Sequence, residues 1–246
     1  MPTSAGSDSR IARLRALIAP LEEGPDVRGR RSSGCAELDA LLGGGLPRCA
    51  LVEIAGPGAP GFATALAARL MVEGGHCAWI AEDGVLRREG WPWPPGLAWF
   101  GVDVRRLLLV RCRDRRELLR ALSACLRSPA VAVTLCRLPR VDPASGRRLQ
   151  LAARRGGGVG LLLAGVRPDP RPHVAALRVV VEPAGGPPPF ARWRLWARRV
   201  RGAAPFACEV AFHVETLAFS VVPGSGLVAA DGGGRRERDG ALRPAG

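Results

Sequence analysis

Residues 53–70 read EIAGPGAPGFATALAARL and carry most of the spacing of a loop that holds phosphate. The pattern for such a loop is G-x-x-x-x-G-K-[ST], and Gly56 and Gly61 stand at its two glycines, with Gly58 between them. In a working loop the glycines let backbone N–H groups curl around the phosphates. A lysine then neutralises the outer phosphates, and a hydroxyl holds Mg²⁺. The next helix would still offer the positive end of its dipole. Here Phe62 occupies the lysine position and Ala63 the hydroxyl position. Thr64 is one place too late, because one step along a helix turns a side chain by about 100°. Arg69 lies two turns further on. The chain contains no lysine at all, so none elsewhere can substitute.

Phosphoryl transfer also needs an acid at the end of a later apolar strand. The candidate strand, AVAVTL at 130–135, runs into Cys136 and Arg137 instead. Glu82, after the apolar run at 76–81, stands where a water-activating glutamate could sit, but it lacks a lysine and a metal site to work with. Seven cysteines are spread along the chain, none in C-x-x-C spacing, and only His76 adjoins one. No metal cluster is expected, and the thiols read as small hydrophobes. The expectation is a chain without cofactor, metal or catalytic residues, in which residues 56, 58 and 61–64 are architecture.

The elements that would position this loop alternate. Apolar runs at 50–55, 76–81, 106–111, 130–135 and 159–164 read as strands, and 62–73, 114–126 and 143–155 as helices, with Asp114 and Asp142 as caps. A short helix at 36–42 stops at Gly43-Gly44-Gly45. This is the pattern of a parallel sheet covered by helices on both faces. From 177 to 222 four further runs read as strands joined by short turns, an antiparallel extension. The fold class is therefore α/β, one domain with a mainly parallel sheet. Ahead of it, Ile11, Leu14, Leu17, Ile18 and Leu21 lie at helical spacing, and 22–33 is rich in Gly, Pro and Arg. The expected division is residues 1–33 as amphipathic helix and linker, 34–222 as core, and 223–246 as a disordered tail. The stripe is a candidate for docking a partner.

No apolar run is long enough to span a bilayer, and MPTSAGSDSR shows no secretory pattern, so a cytoplasmic protein is expected. The net charge is +14 with every basic residue an arginine, and between residues 105 and 155 fourteen arginines face three acids. Arg115, Arg116, Arg147, Arg148, Arg154 and Arg155 are candidates for weak, sequence-independent DNA binding; the alternative is a solvated face.

Residues 33–70, SGCAELDALLGGGLPRCALVEIAGPGAPGFATALAARL, resemble the opening of a RecA-type domain. Leu38, Asp39, Leu42, Gly43, Gly44, Gly45, Pro47, Glu53, Gly56 and Gly61 fit its pattern. More narrowly, 96–135 (GLAWFGVDVRRLLLVRCRDRRELLRALSACLRSPAVAVTL), 145–165 (SGRRLQLAARRGGGVGLLLAG) and 192–202 (RWRLWARRVRG) resemble, in order, the ImuA family of bacterial damage-inducible mutagenesis cassettes. That family also lacks a reliable phosphate-loop lysine and strand acid. The resemblance implies a role in SOS mutagenesis, with ImuB, an error-prone DnaE-type polymerase and RecA as partners in translesion synthesis. Two features depart from it. The stretch GWPWPP sets Trp91 and Trp93 in a proline-stiffened loop, read either as a partner anchor or, preferably, as a loop folded onto its own domain. The segment near 138–158, where RecA grips single-stranded DNA, is short and helical, which argues against RecA-like filaments. The competing readings are a SulA-like division inhibitor that binds a tubulin-like GTPase, and an ATP-dependent recombinase. The charged middle and the family order favour the adaptor.

Overall fold

The computed structural model describes residues 29–166, 174–185, 191–223 and 228–229. Twelve strands and six α-helices are placed among them. Strands β1 (Arg30–Arg31) and β2 (Leu46–Pro47) pair antiparallel as a small ribbon that brackets α1 (Ala36–Leu41). The main sheet comprises β3 (Leu51–Ala55), β4 (His76–Glu82), β5 (Leu107–Cys112), β6 (Val131–Arg137), β7 (Val159–Leu163), β8 (Leu177–Ala184), β9 (Ala191–Val200), β10 (Phe206–His213) and β11 (Ala218–Val221). Its order is β11-β10-β9-β8-β3-β7-β6-β4-β5. The part from β8 to β5 is parallel, and β8 to β11 is antiparallel, as expected. Inside the stretch expected to be a disordered tail, β12 (Val228–Ala229) pairs antiparallel with β10.

Helices α2 (Ala59–Met71), α3 (Asp83–Glu89), α4 (Pro94–Trp99), α5 (Arg115–Arg127) and α6 (Pro143–Gly156) complete the chain. Alternate residues of the parallel strands face opposite sides of the sheet. Val52, Ile54, Val133 and Leu135 pack toward α1 and α2, in a core that continues into the rings of the antiparallel extension. Leu51, Cys136 and Leu162 pack toward Leu118, Leu122 and Leu126 of α5 and Leu149, Ala152 and Ala153 of α6. Both faces are thus buried, which is why the strands read as unbroken apolar runs.

Asp39 explains the LD…GGG signature. Its carboxylate accepts the Ser33 N–H at 2.8 Å and the Ser32 hydroxyl at 2.7 Å, and its carbonyl accepts the Gly44 and Gly45 N–H groups. Gly45 sits at φ +116°, and a Cβ there would lie 2.6 Å from the Arg31 carbonyl oxygen.

Four expectations change. The fold reaches back to Arg30 instead of starting at 34: Arg30 donates to the Leu42 and Arg201 carbonyls, Arg31 pairs with Glu73, and Ser33 is fully buried. Helix α2 begins at Ala59, three residues before the expected 62, because Pro60 belongs in a first turn, where its fixed φ and missing N–H cost nothing. The stretch GWPWPP at 90–95, expected to be a loop throughout, follows α3 and already enters α4 at Pro94. The fourth change is the short β12. The stripe Ile11, Leu14, Leu17, Ile18 and Leu21 lies outside the described residues.

Candidate functional site

The turn between β3 and α2 is where a phosphate would bind, at the carboxyl end of the central strand. All but one of its donors are already used. Gly56 N–H donates to the Gly165 carbonyl at 2.8 Å, Gly58 N–H to Val181 at 3.0 Å, Ala59 N–H to Gly56 at 3.1 Å and Phe62 N–H to Gly58 at 3.1 Å. Pro57 and Pro60 have no N–H. That accounts for every position from 56 to 62 except Gly61. The Thr64 hydroxyl donates to the Pro60 carbonyl at 2.9 Å, so it is turned back into its own helix.

The space beside the loop is filled as well. Strand β8 runs so close that a Cβ on Gly56, itself at φ +100°, would sit 2.3 Å from the Val181 carbonyl oxygen. Trp193 of β9 lies over the loop, with its Cδ1 2.9 Å from where a Cβ on Gly58 would be and its Cζ2 3.3 Å from the same point on Gly61. Phe62 is 4% exposed, and its ring meets Trp193 edge-on at 5.6 Å between centroids and Phe219 at 5.7 Å. Phe100 stacks on Trp193, and Phe212 joins Phe219. Ala63 is fully buried. The ring that replaces the lysine is therefore a core residue, and the loop is tied down by β8 on one side and roofed by Trp193 on the other. Pro57, Pro60 and Trp193 were not singled out in the sequence. The two prolines were readable there as missing donors; Trp193 was not, because only the antiparallel extension brings it back over residue 58.

At the end of β6, Arg137 stands where an acid would hold metal, and its Nη1 donates to Glu89 at 2.8 Å. Glu82 ends β4 and precedes α3 without a side-chain capping bond. Glu53 points to the other side of β3, buried, and pairs with Arg178 at 2.8 Å. Burial raises the Cys112 thiol to about 11 and the Cys77 and Cys208 thiols to about 12, and pushes Cys136 up as well. These thiols are packing groups, and among the described residues no cluster of three or more His, Cys, Asp or Glu is placed to hold a metal.

Beside the loop a cleft of about 120 Å³ is lined by Pro60, Trp79, Leu86, Trp91 and Arg137 among others. Trp91 lines it yet stays 47% exposed, and Trp93, at 71%, covers little beyond Gly96 of α4. The six arginine candidates divide. Arg115, Arg116 and Arg148 line one groove between α5 and α6, together with Arg120 and Arg127. Arg154 lines a separate cavity at the amino ends of β3 and β8, beside Arg48 and Gln150. Arg147 and Arg155 are exposed on α6 outside both. Arg120 and Arg127 were missed in the sequence, although they follow Arg116 by four and eleven residues, on one helical stripe.

No family model matches the chain. Among curated proteins it is similar to Protein ImuA of Caulobacter vibrioides, from strains NA1000 and CB 15: each is 31% identical over 188 residues, covering 66% of this chain and 75% of the relative. The chain belongs to the ImuA family. Among solved structures, the crystal structure of the RadB recombinase matches with a TM-score of 0.58 at 17% identity, covering 78% of this chain and 99% of that one. The ImuA-family chain thus has a RecA-like fold, and at that identity the likeness is one of fold alone. No helix among the described residues is long and apolar enough to cross a membrane.

Proposed function

We propose that this chain is a non-catalytic RecA-like accessory protein of SOS-induced mutagenic translesion DNA synthesis. It acts as an adaptor for an ImuB-like protein, an error-prone DnaE-type polymerase and RecA. Membership of the ImuA family supports the pathway. The observation that carries the non-catalytic reading is the loop of residues 56–62, whose amides donate inward and whose lysine position holds the buried ring of Phe62. In this state the Gly61 N–H is the one loop amide left to meet a triphosphate, and Arg137 stands where an acid would hold its metal. What remains is a scaffold that presents surfaces to other proteins. The stripe Ile11, Leu14, Leu17, Ile18 and Leu21 serves as its docking arm, read by a partner groove through anchors one turn apart.

The test is capture of purified ImuB-like protein, DnaE-type polymerase and RecA by the full chain, with ATP turnover measured alongside. Capture of at least one partner with no turnover above background, with or without single-stranded DNA, supports the adaptor. DNA-stimulated turnover overturns it, and capture of a tubulin-like GTPase in place of all three would favour a division inhibitor.

A further inference from the structure

Helices α5 and α6 pack side by side over one face of the sheet, and the solvent side of their junction is an open groove of about 740 Å³. Five guanidiniums line it: Arg115, Arg116, Arg120 and Arg127 from α5, and Arg148 from α6. Arg116, Arg120 and Arg127 fall within about 40° of one another around the helix and span roughly 16 Å along it. No acid lines the groove. The nearest ones are engaged elsewhere: Asp114 caps α5 through the Glu117 N–H, Asp142 caps α6 through the Ser145 N–H, and Glu117 accepts from Arg113. Among the described residues no carboxylate pairs with Arg116, Arg120 or Arg127. Arg115 reaches across to the Arg140 carbonyl, and Arg148 leans on the Ser145 hydroxyl at 3.2 Å, so both are held near the amino-terminal ends of α5 and α6.

Like charges at i, i+4 on a helix repel, so this array does not serve the fold. It suits a ligand that brings negative charge at regular intervals along 16 Å. A single phosphate or nucleotide would use only part of it. A protein partner would need a large aromatic or aliphatic anchor, and the only apolar side chains lining the groove are Leu119 and Leu149, at its floor. Planar guanidiniums match phosphate oxygens in forked pairs. Nothing lining the groove is an Asn, Gln or aromatic residue that could read or stack a base.

We propose that the α5/α6 groove binds the phosphodiester backbone of nucleic acid, without sequence preference, through Arg115, Arg116, Arg120, Arg127 and Arg148. The site lies apart from the β3–α2 loop and does not depend on which pathway the chain serves.

The experiment is fluorescence anisotropy of the full chain with labelled single-stranded and duplex DNA across a salt series. One variant carries Arg116→Gln, Arg120→Gln and Arg127→Gln. A control carries Arg87→Gln, Arg88→Gln and Arg198→Gln, three exposed arginines outside the groove with the same loss of charge. Both are checked for unchanged melting. The groove variant is expected to bind at least tenfold more weakly at low salt, and its log–log salt slope on duplex to fall by up to about 2.7, from about 0.9 per phosphate contact. The control should stay within about threefold of the parent. Equal weakening by both variants would mean diffuse attraction to a basic protein and would overturn the site. So would unchanged affinity of the groove variant, or no binding by the parent at low salt. Competition by polyglutamate as effective per charge as DNA would assign the groove to an acidic polypeptide instead.

Discussion

The β3–α2 loop and the α5/α6 groove lie on different parts of the same sheet and have opposite constructions. The loop keeps the glycines of an anion site, yet its N–H groups donate to Gly165, Val181, Gly56 and Gly58, and Trp193 and Phe62 fill the space that a ligand would need. The groove has no motif, yet its arginines have open space in front of them and no carboxylate among them. The capacity to bind follows unsatisfied donors and available volume, not the outline of a consensus. In the loop, donors and volume went into stability. In the groove, a helix carries its own repulsion.

That contrast sets the order of expected effects. Phe62→Lys restores the consensus letter but places an ammonium among buried rings, so denaturant unfolding should show a loss of about 4–5 kcal/mol or no folded protein at all. Near-parental stability would mean that residue 62 faces solvent. Gly56→Ala should come next, at about 3 kcal/mol, since it adds both a left-handed φ and a Cβ 2.3 Å from a carbonyl oxygen. Gly157→Ala, also left-handed at φ +82° but with nothing within 4 Å, should lose only about 1–2 kcal/mol. If the two cost the same, β8 does not pin the loop. The triple groove variant should leave stability within about 0.5 kcal/mol of the parent, or raise it slightly through relief of the Arg116–Arg120 repulsion.

Removing residues 1–28 should leave the melting transition in place, because the first side chains bonded into the described fold are those of Arg30 and Arg31. Partner capture should drop. A truncated chain that captures every partner as before would remove the docking role of the stripe from Ile11 to Leu21.

The smallest effect is that of acid. Hydrogen bonds hold several carboxyls below their usual range: from the Arg111 side chain for Asp83, from the Arg105 side chain for Asp103, from the Arg113 N–H for Glu117 and from the Ser145 N–H for Asp142. Each binds its proton less readily folded than unfolded, so its contribution is present above the unfolded pKa and is lost as pH falls through the folded one. The melting temperature should therefore hold near neutrality and begin to fall below about pH 4.5. Asp142→Ala should flatten that fall slightly.

Much of this was legible beforehand, for identifiable reasons. The parallel strands announce themselves because burial on both faces makes them unbroken apolar runs, and Asp114 and Asp142 mark helix starts because their side chains accept N–H groups three residues on. The ring at 62 and the arginine at 137 were readable as chemical substitutions. What was hidden depends on distant parts of the chain. Trp193 comes over Gly58 only after β8 and β9 have turned back, and Arg30 and Arg31 look like linker until their carbonyl partners at Leu42, Arg201 and Leu70 are known. The helix at 94–99 was masked by prolines that open a helix instead of breaking one. Charge density marks the part of the chain that lines the groove, but helical phase is needed to see that Arg120 and Arg127 line it and that Arg147 and Arg155 do not.

Ligand-induced stabilisation reads whether the β3–α2 loop takes a nucleotide. The full chain is melted with and without Mg²⁺-ATP at millimolar concentration. A nucleotide present at about one hundred times its dissociation constant would add about 2.7 kcal/mol and raise the melting temperature by several degrees. The expected result is no shift. A saturable, Mg²⁺-dependent rise that disappears in Gly61→Val would mean instead that the loop is a working nucleotide site, whose amides are released and whose Trp193 moves aside.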